Sequence, residues 1–84
     1  MDIGTLRQKI ARIIIDELKL KDVTPETFDP KLNLIEDLGI DSMELTTIVV
    51  VVQDEFRIKI DEEDFGQLTT LEKISEYVLA RTRT

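Results

Sequence analysis

The stretch "DLGIDSMEL", residues 37–45, holds the groups most able to do chemistry: Ser42, flanked by Asp41, with Glu44 two residues on. A serine hydroxyl becomes a nucleophile when a neighbouring base takes its proton, usually His and sometimes Lys. This chain contains no His, and Leu45 stands where an SxxK arrangement would need lysine. An aspartate carboxylate is too weak a base for that task at neutral pH. Asp41 is also adjacent to Ser42, and neighbours one residue apart do not face each other on a helix. Ser42 is therefore not a catalytic nucleophile of this chain, and no enzyme is expected. The absence of Cys removes disulfides, thiol nucleophiles and thiolate metal sites, and without His zinc loses its usual ligands.

The elements around this stretch follow from apolar spacing. Ile3, Leu6, Ile10, Ile13, Ile14 and Leu18 recur at steps of three and four, which predicts an amphipathic helix over 3–20. Pro25, Pro30, Asn33 and Gly39 make 21–40 a long loop, pinned to the core by Phe28, Leu32, Leu34, Ile35 and Leu38. A loop of that length in a compact domain is usually functional. "TTIVVVVQ" is β-branched and by itself reads as a strand. Three features make it a helix over 42–57 instead. Asp41 and Glu44 have capping-box spacing, Ile40 and Leu45 form a hydrophobic staple, and Leu45, Ile48, Val49, Val52 and Phe56 share one face. Asp61–Phe65 reads as one helical turn closed by Gly66. A last helix starts near Thr69 or Thr70, with Thr69 and Glu72 repeating the capping-box spacing and Leu71, Ile74, Tyr77 and Val78 as its apolar face. The expectation is all-α: a small four-helix bundle of three longer helices and one short one, residues 1–84 forming a single domain.

The formal net charge is −7, unevenly spread. Residues 1–21 hold five basic and three acidic side chains, 22–76 hold fifteen acidic and four basic, and Arg81 and Arg83 close the chain. An acidic middle repels phosphate backbones and anionic lipid, so neither nucleic acid nor membrane is an expected ligand. It would steer the chain toward basic protein surfaces. The longest apolar run, Ile48–Val52, is too short to span a bilayer, and the N-terminus lacks signal-peptide character, so the cytoplasm is the expected location.

A plain helix start accounts for Asp41, Glu44, Ile40 and Leu45, the cap contributing about 1 kcal/mol. It leaves Ser42 on the first exposed turn, where unpaired N–H groups and the helix dipole favour a phosphate. A serine so placed suits a phosphate ester installed by another enzyme. "DLGIDSMEL" resembles the phosphopantetheine attachment motif of acyl carrier proteins, an Asp-Ser pair followed by an apolar residue. The resemblance extends through "VTPETF" in the loop to "QDEFRIKIDEEDFGQLTTLEKISEYV".

That resemblance implies a carrier and no catalyst. A phosphopantetheinyl transferase, using Mg²⁺ and coenzyme A, would attach 4′-phosphopantetheine to Ser42. The arm's thiol would hold acyl cargo as thioesters, delivered by a monomeric carrier to acyl-transferring and condensing enzymes of fatty-acid or related lipid or polyketide biosynthesis. Asp41, Met43, Glu44, Thr47, Val50 and Asp54 would meet partners, and Val52, Ile60 and Leu68 would line an acyl pocket, although a plain core role explains these three equally well. Phe65 is bulky enough to reshape such a pocket.

One departure from the family is informative. Carriers of fatty-acid synthesis present acids on the second helix, where this chain has Thr47, Gln53 and Asp54. An exposed Met43–Val50 strip predicts a more apolar interface, unless Val50 packs beneath the long loop. An aminoacyl, D-alanyl or peptidyl carrier stays open. So does an acidic helical interaction module without a prosthetic group. "DEEDFGQLTTLE" matches a calcium loop at Asp61, Gly66, Leu68 and Glu72, but Phe65 stands at a ligand position, so no metal site is expected beyond loose divalent binding by Asp61–Asp64.

Overall fold

The computed structural model describes residues 2–82 and is all-helical: α1 (Ile3–Leu18), α2 (Ser42–Phe56), a 3₁₀ helix (Glu62–Gln67) and α3 (Leu71–Thr82). No strand occurs among the described residues. Arg83, counted above in the C-terminal charge, lies outside them.

Asp2 starts α1 by accepting the Thr5 N–H at 2.7 Å. That bond to the backbone amide holds the exposed Asp2 carboxyl below its ordinary value. The helix ends at Leu18, short of the periodicity, because Lys19 turns left-handed (φ 54°). Its amide bonds the Asp16 carbonyl while that of Leu20 reaches Ile15, a Schellman ending. α2 ends the same way, with Arg57 at φ 55° and the Ile58 amide on the Gln53 carbonyl.

The β-branched run of α2 becomes helix because its buried face is needed in the core. Ile48, Val49 and Val52 are fully buried beside Ile10 and Ile14 of α1 and Ile74 and Val78 of α3. Each such side chain contributes about 1.5–3 kcal/mol on burial, several times the propensity penalty of a β-branched residue.

The connection from 19 to 41 is ordered by its own turns and by α3. Phe28 and Leu34 are buried, while Leu32, Ile35 and Leu38 are half-buried against the core. The Leu34 amide donates to the Thr69 carbonyl at 2.8 Å, and the Glu72 amide donates to the Pro30 carbonyl at 2.9 Å. These two backbone bonds tie the loop to the entry of α3. They also displace the expected cap: the Glu72 amide is taken by Pro30, and the side-chain cap of α3 is Thr70, whose Oγ1 accepts the Lys73 N–H at 3.1 Å.

The short helix is 3₁₀ over 62–67 rather than one turn over 61–65. Gly66 lies inside it without a left-handed φ, so it is not the terminator its position suggested.

Candidate functional site

The segment before Ser42 is wound tightly. Asn33 Oδ1 accepts the amides of Ile35 (2.9 Å) and Glu36 (2.8 Å), and Asp37 Oδ2 accepts the Asn33 amide at 2.8 Å. Gly39 closes the turn at φ 73°, a conformation that costs any residue with a Cβ. Ile40 then buries, and Asp41 Oδ1 accepts the Glu44 amide at 2.8 Å, so Ser42 is the first residue of α2 and is exposed. Leu45 is buried too, which puts both staple residues in the core.

Leu45 N–H bonds the Asp41 carbonyl and Glu44 N–H its carboxylate. The amides of Ser42 and Met43 find no partner among the described residues. Two unpaired donors and the positive end of the helix dipole beside an exposed hydroxyl fit a phosphodiester. Asp41 and Glu44 place negative charge nearby, but the Asp41 oxygen is committed to the cap.

Down the outer face of α2, Met43 is 77 % exposed and Val50 38 %. Val50 is therefore not packed beneath the loop, which removes the alternative raised from the sequence. Thr46 Oγ1 donates to the Ser42 carbonyl (2.8 Å) and Thr47 Oγ1 to the Met43 carbonyl (3.1 Å). Both hydroxyls are turned onto their own helix, which makes this face more apolar than its composition suggests. Asp54 is exposed on the same face. Gln53 differs: its Oε1 accepts the Ile60 amide at 2.8 Å, so this side chain supports the fold after α2.

A cleft of about 700 Å³ opens one turn beyond Ser42, lined by Thr46, Val50, Gln53, Lys59, Ile60 and Phe65 with Asp61 and Glu62 at its edge. A second, of about 520 Å³, lies across the 3₁₀ helix, lined by Leu68, Thr69 and Tyr77 among others. The three pocket candidates are not brought into one cavity. Ile60 floors the first cleft, Leu68 borders the second, and Val52 lines neither; all are buried. Phe65, Thr46 and Val50 supply the first cleft's other apolar lining, and Thr46 escaped the sequence reading because threonine spacing carries no pocket signal.

The sequence reading also missed a polar cluster beneath the 3₁₀ helix. Tyr77 Oη donates to Asp64 Oδ2 at 2.8 Å and accepts from Arg81, whose guanidinium lies 4.6 Å from the Tyr77 ring centroid. Arg81 also sits 3.7 Å from Asp61 and 4.0 Å from Asp64. The hydrogen bond to Tyr77, with the two acids beside it, holds Arg81 above its ordinary value. Asp61 and Asp64 are thus paired with an arginine instead of gathered for loose divalent binding, and no three acidic side chains converge as a metal site among the described residues. The i, i+4 spacing of Tyr77 and Arg81 was the available signal.

The family model for the phosphopantetheine attachment site matches residues 8–78. The chain belongs to the acyl carrier protein family. It is 34 % identical over 80 residues to the acyl carrier protein of Syntrophus aciditrophicus, covering 95 % of this chain and 96 % of that one. It is 32 % identical over 74 residues to that of Nitratidesulfovibrio vulgaris, covering 88 % and 93 %. Among solved structures, the acyl carrier protein from Enterococcus faecalis, described for its high thermal stability, superposes with a TM-score of 0.78 at 27 % identity, over 98 % of this chain and 100 % of that one. A solution structure of a putative acyl carrier protein from Anaplasma phagocytophilum shares the fold at a TM-score of 0.81 and 23 % identity, over 92 % and 88 %. Members of the acyl carrier family hold their cargo on phosphopantetheine and act as carriers rather than catalysts. No helix among the described residues is long and apolar enough to cross a membrane.

Proposed function

We propose that Ser42 is the attachment residue and that residues 1–84 work as one monomeric carrier domain in the cytoplasm, without catalysis of their own. The observation that carries this reading is an exposed hydroxyl on the first turn of a capped helix, next to two unpaired amides, in a chain with no base to activate it. The activating base therefore belongs to the phosphopantetheinyl transferase. As the Ser42 oxygen–phosphorus bond forms, the phosphoanhydride of coenzyme A breaks, adenosine 3′,5′-bisphosphate leaves, and the serine proton passes to the transferase. The bound arm supplies a thiol for thioester chemistry. This chain's contribution is to hold Ser42 at a fixed point on a rigid helix end.

The test is intact mass after incubation with coenzyme A, Mg²⁺ and a broad-specificity transferase. One phosphopantetheine increment is expected, absent in Ser42→Ala. An unmodified wild-type chain would sink the reading and favour an acidic interaction module without a prosthetic group. Mass analysis of the thioester on native protein then separates acyl cargo from aminoacyl, D-alanyl or peptidyl cargo.

Partner enzymes are proposed to meet Asp41, Met43, Glu44, Thr47, Val50 and Asp54. The back-bonded threonines and exposed Met43 and Val50 support a contact centred on apolar surface, with Asp41, Glu44 and Asp54 as a charged rim. Buried anchors carry affinity, whereas rim charges tune rate and selectivity. Met43→Glu and Val50→Glu should therefore raise the transferase KM about tenfold or more, and Asp54→Asn should act mainly through salt dependence. Equal KM values in folded variants would remove the apolar centre from the proposal.

A further inference from the structure

We infer that the Tyr77–Arg81 pair sets the cargo length of this carrier by holding the 3₁₀ helix, and with it Phe65, as a wall between two clefts. The inference rests on the reading of Ser42 as the tether and extends it to the class of chain carried.

The 3₁₀ helix Glu62–Gln67 has no buried residue. Its one apolar contact with the core is the half-buried Phe65, so polar contacts at its two sides carry much of its placement. On the α2 side, Gln53 Oε1 holds the Ile60 amide just before it. On the α3 side, Asp64 bonds the Tyr77 hydroxyl, and Arg81 reaches both Asp61 and Asp64. Phe65, on this helix, lines the first cleft, and Gly66 and Gln67 line the second. The helix is therefore the partition between a cleft of about 700 Å³ and one of about 520 Å³.

A chain tethered at Ser42 reaches the first cleft by passing Thr46, one turn along α2 and about 6 Å up its axis. It then meets Ile60 and Phe65. Behind them the core is full, since Ile60, Val52 and Leu68 are all buried. A short chain fits against the Phe65 wall. A longer one must displace the wall toward α3, and that motion breaks the Asp64–Tyr77 contact. The clamp thus opposes long cargo, although Tyr77 and Arg81 need not touch it. They act as positioning residues for Phe65.

Acyl-coenzyme A thioesters of four to sixteen carbons, transferred to the full chain by a broad-specificity transferase, provide the test. Hydroxylamine cleavage of each thioester reads how far the chain is sheltered; each further sheltered methylene slows cleavage by up to about fourfold. Wild type is expected to stop gaining protection at a chain length that Tyr77→Phe and Arg81→Gln both exceed. Arg81→Lys, which keeps a cation beside the two acids, is expected to restore much of the wild-type limit. Phe65→Ala should raise the limit without touching the clamp. Arg81 is exposed, so its variants keep the fold, and unchanged α2 amide signals would show it. If the clamp variants level off where wild type does, or lose protection equally at every length, the inference is overturned. If no thioester forms on wild type at Ser42, the attachment reading itself has failed, which is a different result.

Discussion

The entry to α2, residues 33–45, and the seam around the 3₁₀ helix, residues 58–68, are both short irregular stretches beside a helix, held by different means. The entry is fixed by cross-chain backbone bonds and buried anchors: the Leu34 and Glu72 amides cross to Thr69 and Pro30, the Asn33 and Asp41 side chains satisfy turn and helix amides, and Leu34, Ile40 and Leu45 bury. The seam is held by side chains: one glutamine on one side, a tyrosine and an arginine on the other. On the proposed reading of Ser42, the contrast maps onto the two tasks of a carrier. A tether point must be presented in one geometry to many active sites, whereas a cargo site must give way to what it holds.

If the entry is the rigid region, breaking its buried anchor should have the largest effect. Leu34 is fully buried, so Leu34→Ala should cost about 2–5 kcal/mol in chemical denaturation. Gly39→Ala places a Cβ at φ 73°, where nothing clashes but the backbone conformation is unfavourable. A loss of about 1–2 kcal/mol is expected from that source alone. Asp41→Ala removes the acceptor for the Glu44 amide and should cost about 1 kcal/mol, with slower modification of Ser42 as the first turn frays. Denaturation midpoints unchanged in all three would erase the distinction between the regions.

The seam should respond differently to its own conservative change. Gln53→Glu keeps an acceptor for the Ile60 amide and is expected to stay within about 0.5 kcal/mol of wild type, while Gln53→Ala leaves a half-buried amide unpaired at a cost of about 1 kcal/mol or more. The glutamate variant also restores an acid to the outer part of α2. A change in partner kinetics there, without a change in stability, would separate the two roles of this position.

These regions also differ in how readily the sequence discloses them. The entry is written in local code. Asp41 with Glu44, Ile40 with Leu45, and Gly39 lie at fixed short spacings, and that code correctly overruled the strand-like "TTIVVVVQ". The Thr69 cap failed because a long-range bond competed: Pro30 claims the Glu72 amide, and the helix starts from Thr70 instead. The seam's ties span seven residues from Gln53 to Ile60 and thirteen from Asp64 to Tyr77. No local spacing rule encodes partners that far apart. Tyr77 accordingly read as part of an apolar stripe, while its hydroxyl works on the 3₁₀ helix.

The smallest expected effect is on the seam at rest. In the chain before acylation, the Asp64 and Leu68 amides bond the Asp61 and Phe65 carbonyls at 2.9 and 3.1 Å. Those bonds depend on the 3₁₀ turn staying closed. Tyr77→Phe removes the hydroxyl that Asp64 accepts from, and Arg81→Gln removes the cation beside both acids. Hydrogen exchange at Asp64 and Leu68 should then quicken several-fold, while Leu34 and the α2 amides keep wild-type rates, because the 3₁₀ helix itself has no buried residue and opens between its buried flanks, Ile60 and Leu68. High salt should partly mimic Arg81→Gln, since that guanidinium is exposed and its pairing is screened. Exchange that quickens equally at Leu34 would mean that entry and seam open as one unit, and the tether could then not stay fixed while the cargo site yields.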